Sequence, residues 1–94
     1  MRPVTRIGDA DVGHCSGMVR AEGSPDVFCN SIPVSRQGDL NTVHLLPGAP
    51  CVPHAAPIVI GSLKTFVNGR GMGRVGDATC TMVAEGSHNT FDNG

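Results

Sequence analysis

The chain has 94 residues, with seven Lys or Arg against eight Asp or Glu and a net charge of −1. That is one domain at most, without the basic surface that a nucleic-acid partner requires. Only 22 residues are Val, Ile, Leu or Phe, none is Trp or Tyr, and 20 are Gly or Pro; this excludes a large enzyme, a membrane span and a disordered tail, and leaves a thin-cored, turn-rich β domain that needs a disulfide, metal or oligomer as a staple.

The N-terminus, Met1-Arg2-Pro3-Val4-Thr5-Arg6, has no apolar stretch of the kind a secretory signal carries, so the chain is expected to be made in the cytoplasm. In a reducing compartment Cys15, Cys29, Cys51 and Cys80 read as thiols or metal ligands rather than disulfides.

In chain order, two short units alternate three times. The first is Pro or Gly, two residues, Arg, one residue, Gly-Asp: Pro3-Val4-Thr5-Arg6-Ile7-Gly8-Asp9, Pro33-Val34-Ser35-Arg36-Gln37-Gly38-Asp39 and Gly71-Met72-Gly73-Arg74-Val75-Gly76-Asp77. The second is Gly-Ser, three residues, Phe, one residue, Asn: Gly23 to Asn30, Gly61 to Asn68 and Gly86 to Asn93. All three Phe of the chain, Phe28, Phe66 and Phe91, stand at one position of it. Asn30 and Asn68 each lie eight residues before the next such glycine, Gly38 and Gly76, whereas the loop from Gly-Asp to Gly-Ser spans 15, 23 and 10 residues.

The constant part reads as a β-hairpin. Thr65-Phe66-Val67 and Met72-Gly73-Arg74-Val75 flank Asn68-Gly69, the strongest short hairpin-turn signal; Val27-Phe28-Cys29 and Pro33-Val34-Ser35 flank the weaker turn Asn30-Ser31. Each Gly-Asp is a sharp turn out of the sheet. No segment has a helical period. Single hairpins are marginal, so three equivalent ones predict an all-β object of pseudo-threefold symmetry with one shared core.

The variable loops carry metal-ligand chemistry. His14 and His44 each follow a Gly-Asp aspartate by five residues, Cys80 follows Asp77 by three, and the longest loop adds His54. Three imidazoles and a thiolate make a closed tetrahedral set suited to Zn²⁺, with iron as the alternative metal. A closed set leaves no position for substrate, so the expected role is structural. Structural zinc is worth on the order of 10 kcal/mol in small domains, more than the margin of so thin a core. Against this stands the plain alternative of surface histidines and buried thiols. Cys51-x-x-His54 is a competing pair; Cys15 and Cys29 read as packing residues and His88 as exposed. The segment Gly71-Met72-Gly73-Arg74-Val75-Gly76 matches G-x-G-x-x-G, but only 18 residues follow Gly76, too few for a βαβ unit.

Taken together, the three Arg-x-Gly-Asp units, the three Gly-Ser-x3-Phe-x-Asn units and the His/His/His/Cys set resemble the PAAR-repeat family over essentially the whole chain, Pro3 to Asn93. The resemblance implies a small cone of β-hairpins with a zinc site near the vertex, held by His14, His44, His54 and Cys80. It implies a non-enzymatic, monomeric tip on the trimeric β-helical spike of a contractile injection machine, a type VI secretion system or a contractile phage tail, with one tip per trimer. Its place of action is the virion tail tip or the expelled spike, and its transient target is a cell envelope. The name motif Pro-Ala-Ala-Arg is here Pro-Val-Thr-Arg, Pro-Val-Ser-Arg and Gly-Met-Gly-Arg, and Gly71 in place of proline predicts a looser hairpin arm. As the chain runs from the first unit to just past the last, the expectation is a single domain over 1–94 with no effector extension. Two other classes compete: a zinc-stabilised adaptor bound to no spike, and an enzyme fragment with three protein ligands and water on the metal.

Overall fold

Asparagine followed by glycine or serine between apolar residues turns the chain back on itself, and the computed structural model, which describes residues 1–13, 16–45 and 53–92, has such turns at both predicted places. Strand β4 (Phe28–Cys29) pairs with β5 (Ile32–Pro33) around Asn30-Ser31, and β8 (Phe66–Val67) with β9 (Arg70–Gly71) around Asn68-Gly69. Both residues of each turn have positive φ, 56° and 64° in the first and 54° and 78° in the second, the requirement of a type I′ turn. The third hairpin has no turn. Strand β1 (Arg2–Pro3) pairs with β10 (Phe91–Asp92), so the first and last strands of the chain stand where the other repeats have one continuous hairpin.

Each hairpin is shorter than the sequence suggests, because its second arm leaves after two residues to pair with the neighbouring repeat. Arg6 bridges Val34, Arg36 bridges Met72 and Arg74 bridges Val4. The residues between them close a ring: Thr5 N–H donates to Gly73 O (3.0 Å), Gly73 N–H to Ser35 O (2.9 Å) and Ser35 N–H to Thr5 O (3.1 Å). No repeat in this ring satisfies its own backbone groups, so three interdependent arms replace three separate hairpins.

The recurring positions of the repeat are explained by contacts that recur with them. In Arg-x-Gly-Asp the aspartate N–H returns to the arginine carbonyl, and Gly8, Gly38 and Gly76 have φ near +90°, as a type II turn demands at its third residue. The guanidinium then forks onto the aspartate: Arg36 Nε and Nη2 lie 2.7 and 2.9 Å from the Asp39 oxygens, and Arg6–Asp9 and Arg74–Asp77 repeat the geometry. The remaining Nη1 reaches Asn30 from Arg6 and Asn68 from Arg36, both at 3.0 Å. The serine of Gly-Ser caps its own loop by accepting from the N–H groups two and three residues on, and Ser24 and Ser87 donate to Asn68 and Asn30. In the third copy Arg74 Nη1 reaches Asp92 Oδ2 at 3.2 Å.

The core is a stack of such threes. Alternation along each hairpin sends Cys29 and Val67 inward and leaves Phe28, Phe66 and Phe91 outward, 55, 60 and 44 % exposed. Cys29 and Val67 pack with Val4 and Val34, and Met72 lies against them. Cys29 is thus the packing residue expected of it. Beyond the Thr5–Ser35–Gly73 ring come Arg20, Ile58 and Val83, each three residues before a Gly-Ser, all fully buried. Gly71 does not loosen its arm. A Cβ there would lie 2.6 Å from Ser62 O, so glycine permits the close approach of two backbones. The molecule is elongated, 39 × 24 × 23 Å.

Candidate metal centre

Past the Arg20 layer the loops no longer match in length, and only some of their residues pair across repeats. Loop one forms β2 (Ala10–Asp11) with β3 (Met18–Val19). Loop two forms β6 (His44–Leu45) with β7 (Pro53–His54), in which His44 and His54 are direct partners. That pairing converts ten residues of sequence separation into contact: the two imidazole centroids are 4.2 Å apart with the rings inclined by 64°. Loop three, the shortest, is tied by the Ala78–Met82 and Asp11–Val83 bridges and brings Cys80 to the same place.

The ligand atoms of His44, His54 and Cys80 all lie within 4.8 Å of one another. His44 is buried, and its Nδ1 is 2.8 Å from the Thr42 carbonyl. A carbonyl only accepts, so Nδ1 carries a proton, and in the neutral ring that a metal requires the lone pair is then on Nε2. Nε2 faces Cys80 Sγ at 3.3 Å. A tetrahedral ion with ordinary Zn–N and Zn–S bonds separates two such ligands by about 3.5 Å. Both the donor set and this spacing fit a metal of the zinc class. The metal would draw a neutral imidazole from each histidine and a thiolate from the cysteine, and would tie loop two to loop three.

Three of the four residues singled out from the sequence are therefore brought together. The fourth, His14, lies outside the described residues, as do Cys51 and Cys15. His88 is exposed and lines a separate cleft with Arg6, Asp9 and Phe91. An equivalent cleft lies one repeat away, lined by Arg36, Asp39 and Arg70. Both belong to the repeated part of the molecule.

Sequence reasoning missed the residues beneath the cluster. Asp11 and Asn41 each stand two positions after a Gly-Asp and are buried. Asp11 pairs with Arg20 at 2.7 Å, both side chains at 0 % exposure. The repeat held a signal for this: in the register where the other copies carry Ile58 and Val83, the first carries an arginine.

A comparison with curated proteins returned no match. The family model for the PAAR motif matches residues 7–79, which takes in the three Gly-Asp turns from Ile7 onward and the loop that carries His44 and His54, and ends one residue before Cys80. The chain belongs to the PAAR-motif family, the structural spike-tip components of contractile injection machines.

Proposed function

We propose that this chain is the single tip seated on the blunt threefold end of a β-helical spike trimer, in a contractile phage tail or a type VI secretion system, with its vertex closed by zinc bound to His14, His44, His54 and Cys80. The blunt end of a β-helix exposes unpaired strand edges that must be covered. A monomer covers a threefold end only if one chain presents three similar faces.

The observation that carries this reading is the cyclic hydrogen-bond ring of Thr5, Ser35 and Gly73, around which three hairpins are disposed with their Phe28, Phe66 and Phe91 side chains outward. Three exposed aromatic rings give a spike trimer the same apolar contact three times over. At the other end a metal crosslink between loops would add stiffness to the packing there. A tip so built acts mechanically, by transmitting the thrust of the spike to a target envelope.

The test is stoichiometry. Mixed with its cognate spike trimer and measured by native mass spectrometry, the protein binds as one copy per three spike chains. Three copies per trimer would contradict the proposal, as would no complex at all.

A further inference from the structure

Burying an ion pair costs several kcal/mol per ion unless geometry and further hydrogen bonds compensate. Ile58 and Val83 fill the positions equivalent to Arg20 with hydrocarbon, so packing alone does not call for a guanidinium there. The Arg20–Asp11 pair instead belongs to a polar network that includes the Asn41 side chain. Asp11 Oδ2 accepts from Arg20 Nη1 at 2.7 Å and from Asn41 Nδ2 at 3.0 Å, and Arg20 also donates to Ser35 Oγ and to the Asp39 carbonyl.

The Asn41 amide has one orientation available. Its Oδ1 accepts the Ala56 N–H at 2.8 Å, which directs Nδ2 to the other side, where its neighbours are Asp11 Oδ2, Met18 Sδ at 3.0 Å and Cys80 Sγ at 3.9 Å. Its backbone is fixed as well, by the bridge between Asn41 and Arg20 and by the Thr42 N–H donating to Val19 O at 2.8 Å. The adjacent residue, Thr42, supplies the carbonyl that sets the His44 proton. Two consecutive residues thus address two candidate ligands, one through a carbonyl and one through an amide N–H.

We infer that Asn41 is a positioning residue for the metal centre: one Nδ2–H goes to Asp11 Oδ2, itself held by Arg20, and the second lies between Met18 Sδ and Cys80 Sγ, where a metal-bound sulfur would draw it. An N–H directed at a metal-bound sulfur orients it, as outer-shell donors do for the ligands they support. It also keeps Sγ beside His44 Nε2. The inference rests on the metal-binding reading of His44, His54 and Cys80.

The experiment uses the full chain loaded with Co²⁺, with wild type beside Asn41→Leu and Asn41→Thr. The threonine variant places there the residue type that the third repeat carries at Thr79, which guards against simple misfolding. Two readouts are taken: affinity by competition with a chelator, and the energy of the thiolate-to-cobalt charge-transfer band. The expected result is binding about 10- to 100-fold weaker in both variants, with the band moved to lower energy because the sulfur has lost its donor. Weaker binding with an unmoved band, or affinity and band both unchanged, overturns the role of Asn41 while leaving the metal reading intact. If wild type shows no charge-transfer band, the metal reading fails and this inference with it.

Discussion

The hairpin end and the loop end of this molecule are built on opposite principles. At the hairpin end the arginine–aspartate fork and the serine cap each occur three times, around one backbone ring to which every repeat contributes a member, and the inward position is apolar in two copies, Cys29 and Val67. At the loop end almost nothing repeats. The three registers there hold Arg20, Ile58 and Val83, and then Asp11, Asn41 and Thr79. Repetition gives three similar faces, whereas its breakdown lets loops two and three place different donors around one point. In the proposed function the symmetry would serve docking and the asymmetry the metal.

The contrast can be broken at the hairpin end by a single methyl group. A Cβ on Gly61 would sit 2.4 Å from Gly71 O and 2.7 Å from Gly71 C, both backbone atoms of the neighbouring arm. Gly61→Ala is therefore expected to cost about 3 kcal/mol in urea unfolding, because neither backbone can move aside cheaply. Gly69→Ala adds its methyl to open space and pays only for φ +78°, about 1 kcal/mol. Equal losses from the two variants would mean that the repeated arms are not packed backbone to backbone.

A smaller effect sharpens the one place where symmetry fails at the hairpin end. Asp92 stands where the other copies carry Cys29 and Val67. Burial works against its charge, yet hydrogen bonds from Thr65 and Ser62 and the Arg74 guanidinium hold its pKa below the usual 3.8. A carboxylate with a depressed folded pKa contributes stability above its unfolded value, and that contribution disappears as pH falls through the folded one. Wild type should therefore exceed Asp92→Asn in stability near neutral pH, and the gap should close on acidification below 3.8. A gap that stays constant with pH would show that Asp92 acts through shape rather than charge.

How much of this was readable in the sequence follows the same division. The repeats, the Asn68-Gly69 turn and the inward Cys29 were legible because each rests on local chemistry that recurs. The departure of each second arm to its neighbour was not, since Val34 and Arg36 look alike whether they pair within a hairpin or across repeats. Nor was the closure of β1 on β10, where the turn signal is replaced by the two ends of the chain. His44 was singled out by its register with His14, and Cys80 by its place in the equivalent loop, three residues after Asp77 rather than five. His54 was proposed as a ligand on its loop alone, and its pairing with His44 depends on a hairpin that has no Asn-Gly signal. Asp11 and Asn41 escaped because a buried polar residue looks like a surface one until the repeats are aligned around it.

The central claim is that the unequal loops meet on one enclosed ion. X-ray absorption at the metal edge of the purified protein tests it most directly. The account predicts about one metal per chain, with three nitrogens near 2.0 Å and one sulfur near 2.3 Å. A shell without sulfur, a shell with an oxygen in the fourth position, or no metal at all would contradict it.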